Sequence, residues 1–134
     1  MATLVSPAMA TAQSFKWWQH ERFQRELALT SEQVSRLENI YQTASPAMRA
    51  QKTALDRLQT DLSALVDEAR AEEPAAADLI ARVEAARADL GRTRAVMLYK
   101  MRRVLTVDQH TKLKVLFAEH ERSRKTHTRP GSRR

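Results

Sequence analysis

The side chains able to hold a metal are few, and their spacing narrows the chemistry. The chain has no cysteine, four histidines and five methionines. A thiolate site and a thiol nucleophile are therefore excluded, and imidazole, carboxylate and thioether are what is left. His20 and Gln24 stand four residues apart, as do Met97 and Met101. Four residues is one helical turn, so each pair shares a helix face. Two thioethers with one imidazole make a soft set, suited to Cu(I) or Ag(I) over Ni(II), Co(II) or Zn(II). The competing account has Met97 and Met101 filling a helical core, His20 at the surface beside Glu21, and no metal bound. His110, His120 and His127 are not expected as ligands. No Ser/His/Asp or Cys/His constellation, no His-Glu-x-x-His and no Gly-rich phosphate loop occurs, so an enzyme is not expected.

Four of the seven aromatic residues, Phe15, Trp17, Trp18 and Phe23, fall within nine positions. Successive residues on an α-helix are about 100° apart, so adjacent tryptophans on one helix cannot both face one core. Trp17, Trp18 and Phe23 are accordingly candidates for a client or partner surface, with packing under the first helix as the alternative.

These residues must be positioned by helices. With two glycines and four prolines in 134 residues, the chain lacks the turns that a sandwich, barrel or Gly-looped nucleotide fold requires. Apolar residues at 3/4 spacing divide it into four segments. The first covers about Phe15 to Ala28. The second carries Val34, Leu37, Tyr41 and Met48, then Leu55, Leu58, Leu62 and Leu65, with a kink or break expected near Ala44 and Ser45 because of Pro46. Ala71 to Pro74 reads as a turn. The third segment carries Leu79, Val83, Ala86, Leu90, Met97, Met101 and Val104, and the fourth Leu113, Leu116 and Phe117. Two start signals stand out. Thr30 and Gln33 have the spacing of a capping box, flanked by Leu29 and Val34 as a hydrophobic staple, and Thr106 with Gln109 repeats it after Leu105. The expected fold is all-α, a four-helix hooked antiparallel hairpin over residues 15–124.

The 23 Lys and Arg against 16 Asp and Glu give a net charge of +7. Six basic and two acidic residues fall between Glu119 and Arg134, so over half of that excess belongs to the last 16 residues. Residues 125–134 read as a basic, disordered tail rather than a base-reading element. Residues 1–14 carry no charge and contain Ala8-Met9-Ala10 and Ala10-Thr11-Ala12, which reads as a disordered leader or a signal-peptide remnant without its basic region. No stretch of about 18 apolar residues is present.

The doubled Leu-Thr-x-x-Gln of Leu29–Gln33 and Leu105–Gln109 resembles the Leu-Thr-x-x-Gln superfamily of periplasmic helical proteins, which includes envelope-stress chaperones and zinc-associated resistance proteins. The run from Ala88 to Arg102 ahead of the second motif is similar to the periplasmic heavy-metal sensors of the nickel/cobalt-resistance type. The resemblance implies a homodimeric hooked hairpin in the periplasm, without turnover, answering to metal or envelope stress. In such sensors the metal is held by two histidines on the first helix, an acidic residue on the second, and a His and a Met at the end of the third. Those positions fall on His20, Gln24, the neighbourhood of Tyr41, Met97 and Met101.

Three readings of function follow. The first is a heavy-metal or envelope-stress sensor or resistance protein with a degenerate site of His20, Met97 and Met101, coupled to a membrane-bound regulator. The second is an ATP-independent periplasmic chaperone for unfolded clients. The third, and weakest, is a helical nucleic-acid binder using the basic tail.

Overall fold

A computed structural model describes residues 16–128. The leader read at residues 1–14 and the end of the basic tail at 129–134 lie outside the described residues. Everything ordered into regular structure among the described residues is helix: a 3-10 turn at Trp17–Gln19, then α1 (Glu21–Glu26), α2 (Ser31–Glu68), α3 (Glu73–Val104) and α4 (Val107–Thr128).

Several boundaries differ from the sequence expectation. The first segment is not one helix: His20 is extended (φ −80°, ψ 124°) and serves as N-cap of α1. His20 and Gln24 thus do not both lie within a helix. Pro46 neither ends nor divides α2, which continues as α-helix through it. Pro74 falls in the first turn of α3, where a missing N–H removes no helical bond. Helix α4 continues to Thr128, so residues 125–128 extend the helix rather than beginning a tail. No glycine or proline interrupts the sequence there before Pro130.

The described residues form two compact units, one made of 16–38 with 101–128 and the other of 39–100. The first is built around rings. Trp17, Trp18, Phe23, Leu27 and Leu37 from the amino-terminal part are buried together with Met101, Leu105, Leu113, Leu116 and Phe117. Trp17 stands edge-on to Trp18 at 5.7 Å and to Phe117 at 6.3 Å, and Phe23 lies 5.8 Å from Phe117. Each such ring removes about 150–250 Å² from water, roughly 4–6 kcal/mol of gross stabilisation.

Burial of both tryptophans corrects the expectation of an open aromatic surface, since Trp17, Trp18 and Phe23 are each at most 2% exposed. The reason is local backbone geometry. A three-residue 3-10 turn followed by extended chain is covered from more than one side: Trp17 packs on Phe117 of α4, while the indole N–H of Trp18 donates to Glu38 of α2 at 2.5 Å. Gln19 donates to the same carboxylate at 2.6 Å. Arg22 of α1 bonds Glu26 at 3.2 Å and Glu119 of α4 at 2.8 Å.

The second unit has a smaller core. Leu55 of α2 packs with Val83 and Leu90 of α3, surrounded by Met48, Leu58, Leu62 and Ala86. These are the 3/4-spaced positions of both helices, which is why their apolar faces meet. Met97 and Ser45 are also buried. Exposed ion pairs such as Lys52–Asp56 at 2.6 Å and Arg92–Asp89 at 3.4 Å decorate the outside and contribute little each.

Candidate functional site

The two Leu-Thr-x-x-Gln segments lie together in the first unit. At the start of α2, Gln33 N–H donates to Thr30 Oγ1 and Thr30 N–H donates to Gln33 Oε1, both at 3.0 Å. At the start of α4, Gln109 N–H donates to Thr106 Oγ1 at 3.1 Å and Thr106 N–H to Gln109 Oε1 at 3.0 Å. Each box satisfies two N–H groups that a helix start leaves without partners.

The amide nitrogens then tie the boxes to each other. Gln33 Nε2 donates to Gln109 Oε1 at 2.9 Å and to the Val104 carbonyl at 3.1 Å. Gln109 Nε2 donates to Gln33 Oε1 at 3.1 Å and to the Leu27 carbonyl at 3.1 Å. Each glutamine thus closes its own cap, grips the other glutamine, and holds the last turn of the helix that precedes the other motif. A glutamate could accept the capping bond but would supply no N–H for the rest. Glutamine at the last position of each motif meets that count of donors.

Beside this lock His110 is half-buried. Its imidazole is held below the ordinary value, first by burial and then by the charges of Arg102 and Lys114. His20 and His120 both stand against the Phe23 ring, at 5.4 and 6.2 Å. Sequence spacing could not have paired them, since a hundred residues separate the two.

Of the suggested metal positions, His20 is exposed while Met97 and Met101 are 1% and 3% exposed. Met101 belongs to the first unit with His20, and Met97 to the second. The amide of Gln24 donates to the Trp18 carbonyl at 2.7 Å, so that side chain is committed to the fold. Among the described residues no group of three or more His, Asp or Glu is placed to hold a metal ion. The donors at the positions carried over from the nickel/cobalt sensors do not fit a hard or borderline ion: one imidazole, one committed amide, one phenol and two buried thioethers.

The second unit contains a groove of about 520 Å³ that the sequence did not point to. Ile40, Ala44, Val96 and Met97 supply its apolar lining, and Arg92 and Lys100 its charge. None of the lining residues is acidic among the described residues. Val96 is 48% exposed and Tyr99, one turn on, 65%. Large apolar side chains left that open beside cations make a surface suited to amphipathic protein segments. No helix of the described residues is long and apolar enough to cross a membrane.

No curated protein and no solved structure matches the chain significantly. A family model, described as LTXXQ motif family protein, matches residues 16–117, a span that begins at the residue before the 3-10 turn and ends at Phe117 of the ring cluster. The match contains both interlocked motifs and most of the chain, and the protein therefore belongs to the LTXXQ motif family.

Proposed function

We propose that this protein is a non-enzymatic member of the envelope-stress and metal-resistance group, acting in the periplasm as an ATP-independent holder of unfolded protein segments. The observation that carries this reading is the open groove of the second unit, lined by Ile40, Ala44 and Val96 together with the cations Arg92 and Lys100. Unfolded chains present short apolar runs interspersed with carboxylates, and a shallow surface mixing exposed apolar side chains with arginine and lysine binds them without demanding one shape. The lock formed by Gln33 and Gln109 is the scaffold of this activity and not its binding surface. Membership of the family is consistent with this class of role.

The test is light scattering of a chemically denatured client diluted into buffer without ATP. The full chain is expected to suppress aggregation at stoichiometric amounts. Val96→Asp puts a carboxylate into the apolar lining and is expected to abolish most of that suppression while leaving helicity intact. Equal suppression by the Val96→Asp protein would sink the reading.

A further inference from the structure

Helix α4 carries charge that the packing of the first unit does not use. Residues 107–134 hold eight basic residues and three acidic ones, so five of the chain's seven net positive charges fall in this stretch. The family match stops at Phe117, and six of the eight basic residues come after it. At about 100° per residue, Val107, Lys114, Val115, Ala118, Arg122 and Lys125 lie within roughly 50° of one line along the helix, and all six are exposed. The buried residues Leu113 and Leu116 are on the opposite side. The three acids are turned away: Asp108, Glu119 and Glu121 stand roughly 70–90° off the line, and Glu119 is held by Arg22 of α1 at 2.8 Å. No ion pair of the described residues engages Lys114, Arg122 or Lys125. Beside these cations Val107 is left 71% exposed and Val115 53%.

We propose that this outer stripe of α4 lies on the surface of a bilayer containing anionic lipid, with the helix axis parallel to the membrane plane. The occupant is chosen by the two kinds of side chain that share the stripe. Lipid phosphates attract the cations, each such residue near the surface strengthening binding roughly fivefold. The valines reach past the headgroups to the acyl boundary, alongside the aliphatic stems of lysine and arginine. Nucleic-acid phosphates attract the same cations but leave the valines in water. The stripe also suits a plane, since from Val107 to Lys125 it runs about 27 Å along one side of the helix. Arg129, Arg133 and Arg134 follow it in the sequence, and a polybasic run adds to such binding whatever its conformation. Helix α4 belongs to the first unit and the groove to the second, so membrane docking and client binding stand or fall separately.

Co-sedimentation of the full chain with vesicles is the test. At about 50 mM salt the chain is expected to pellet with phosphatidylcholine vesicles that contain about one-third phosphatidylglycerol, to stay in solution with phosphatidylcholine alone, and to leave the anionic vesicles at about 0.5 M salt. Lys114→Gln, Arg122→Gln and Lys125→Gln together are expected to weaken binding roughly hundredfold, with helicity unchanged. Arg49→Gln, Arg57→Gln and Arg70→Gln together remove as many exposed cations from the second unit and are expected to weaken it by no more than about threefold. Val107→Ser with Val115→Ser keeps the charge and is expected to cost roughly fivefold. Because the chain has no cysteine, Val115→Cys can carry a single environment-sensitive fluorophore, whose emission is expected to shift to the blue on the anionic vesicles. Equal binding to neutral vesicles, equal losses in the two triple variants, no effect of the serine pair, or tighter binding to duplex DNA than to vesicles at equal phosphate would each overturn the proposal, the last in favour of nucleic acid.

Discussion

The glutamines of the two caps have a role that a capping box alone does not demand. In Gln33→Glu the carboxylate still accepts from Thr30 N–H, but the donors to Val104 and Gln109 vanish and an anion faces Gln109 Oε1. We expect a loss of about 1–3 kcal/mol in urea denaturation, and the same for Gln109→Glu; an unchanged midpoint would mean that the amide bonds contribute nothing beyond the caps. His110 gives the protein a pH dependence with a definite sign. Its folded state takes up a proton less readily than the unfolded chain, because burial, Arg102 and Lys114 disfavour the charge. Stability therefore falls as pH drops from about 6.5 toward the depressed folded value and is flat above that window; the slope should flatten in His110→Gln, read as urea midpoint against pH. Met97 and Met101 behave as core: Met97→Leu and Met101→Leu are each expected to cost less than about 1.5 kcal/mol, and a silver titration of either is expected to match the parent. Both bonds of each capping box were legible in the Thr-x-x-Gln spacing, since they close within one turn. The grip between Gln33 and Gln109 joins residues 76 apart, and no local pattern carries it.

At the scale of the elements, glycine and alanine stand where the backbone would prefer the reverse. Gly91 lies inside α3 with nothing within 4 Å of where a Cβ would be. It therefore costs helix stability without easing any close approach. Ala28 and Ala69 end α1 and α2 with φ of 50°, the left-handed conformation that glycine adopts without steric cost. Behind Ala28, Leu29 N–H reaches back to the Gln24 carbonyl at 3.0 Å, as in a Schellman end. Gly91→Ala and Ala28→Gly are both expected to stabilise by about 0.5–1 kcal/mol, a rise of a few degrees in melting temperature for either; a fall in either would show a constraint not present in the described packing. The helical stripes were legible because core positions recur every three or four residues. The break at His20 was not, since an extended residue between a 3-10 turn and α1 answers to the packing of the rings on either side of it and not to any breaker residue. Pro46 shows the converse: of the kink or break that its local signal allows, the break does not occur, since α2 runs through it.

At the scale of the whole molecule, the chain ends make the better-packed unit. Among the described residues, 16–38 and 101–128 bury two tryptophans, two phenylalanines and six aliphatic side chains, whereas the intervening 39–100 buries the apolar side chains of Leu55, Val83, Leu90 and Met97. Hydrogen exchange is therefore expected to open amides of residues 50–90 before those of 31–38 and 107–117; the opposite order would refute this ranking of the two cores. By itself the sequence determined the all-helical composition, the two caps and the core stripe of each long helix, because all three are settled by neighbours within one or two turns. Only the tertiary structure decided that the capping glutamines meet, that Trp17 and Trp18 are both covered, and that Val96 and Tyr99 are left outside. Those outcomes depend on which distant segment covers a given face, and the side chains within one turn are the same whether that face is covered or open.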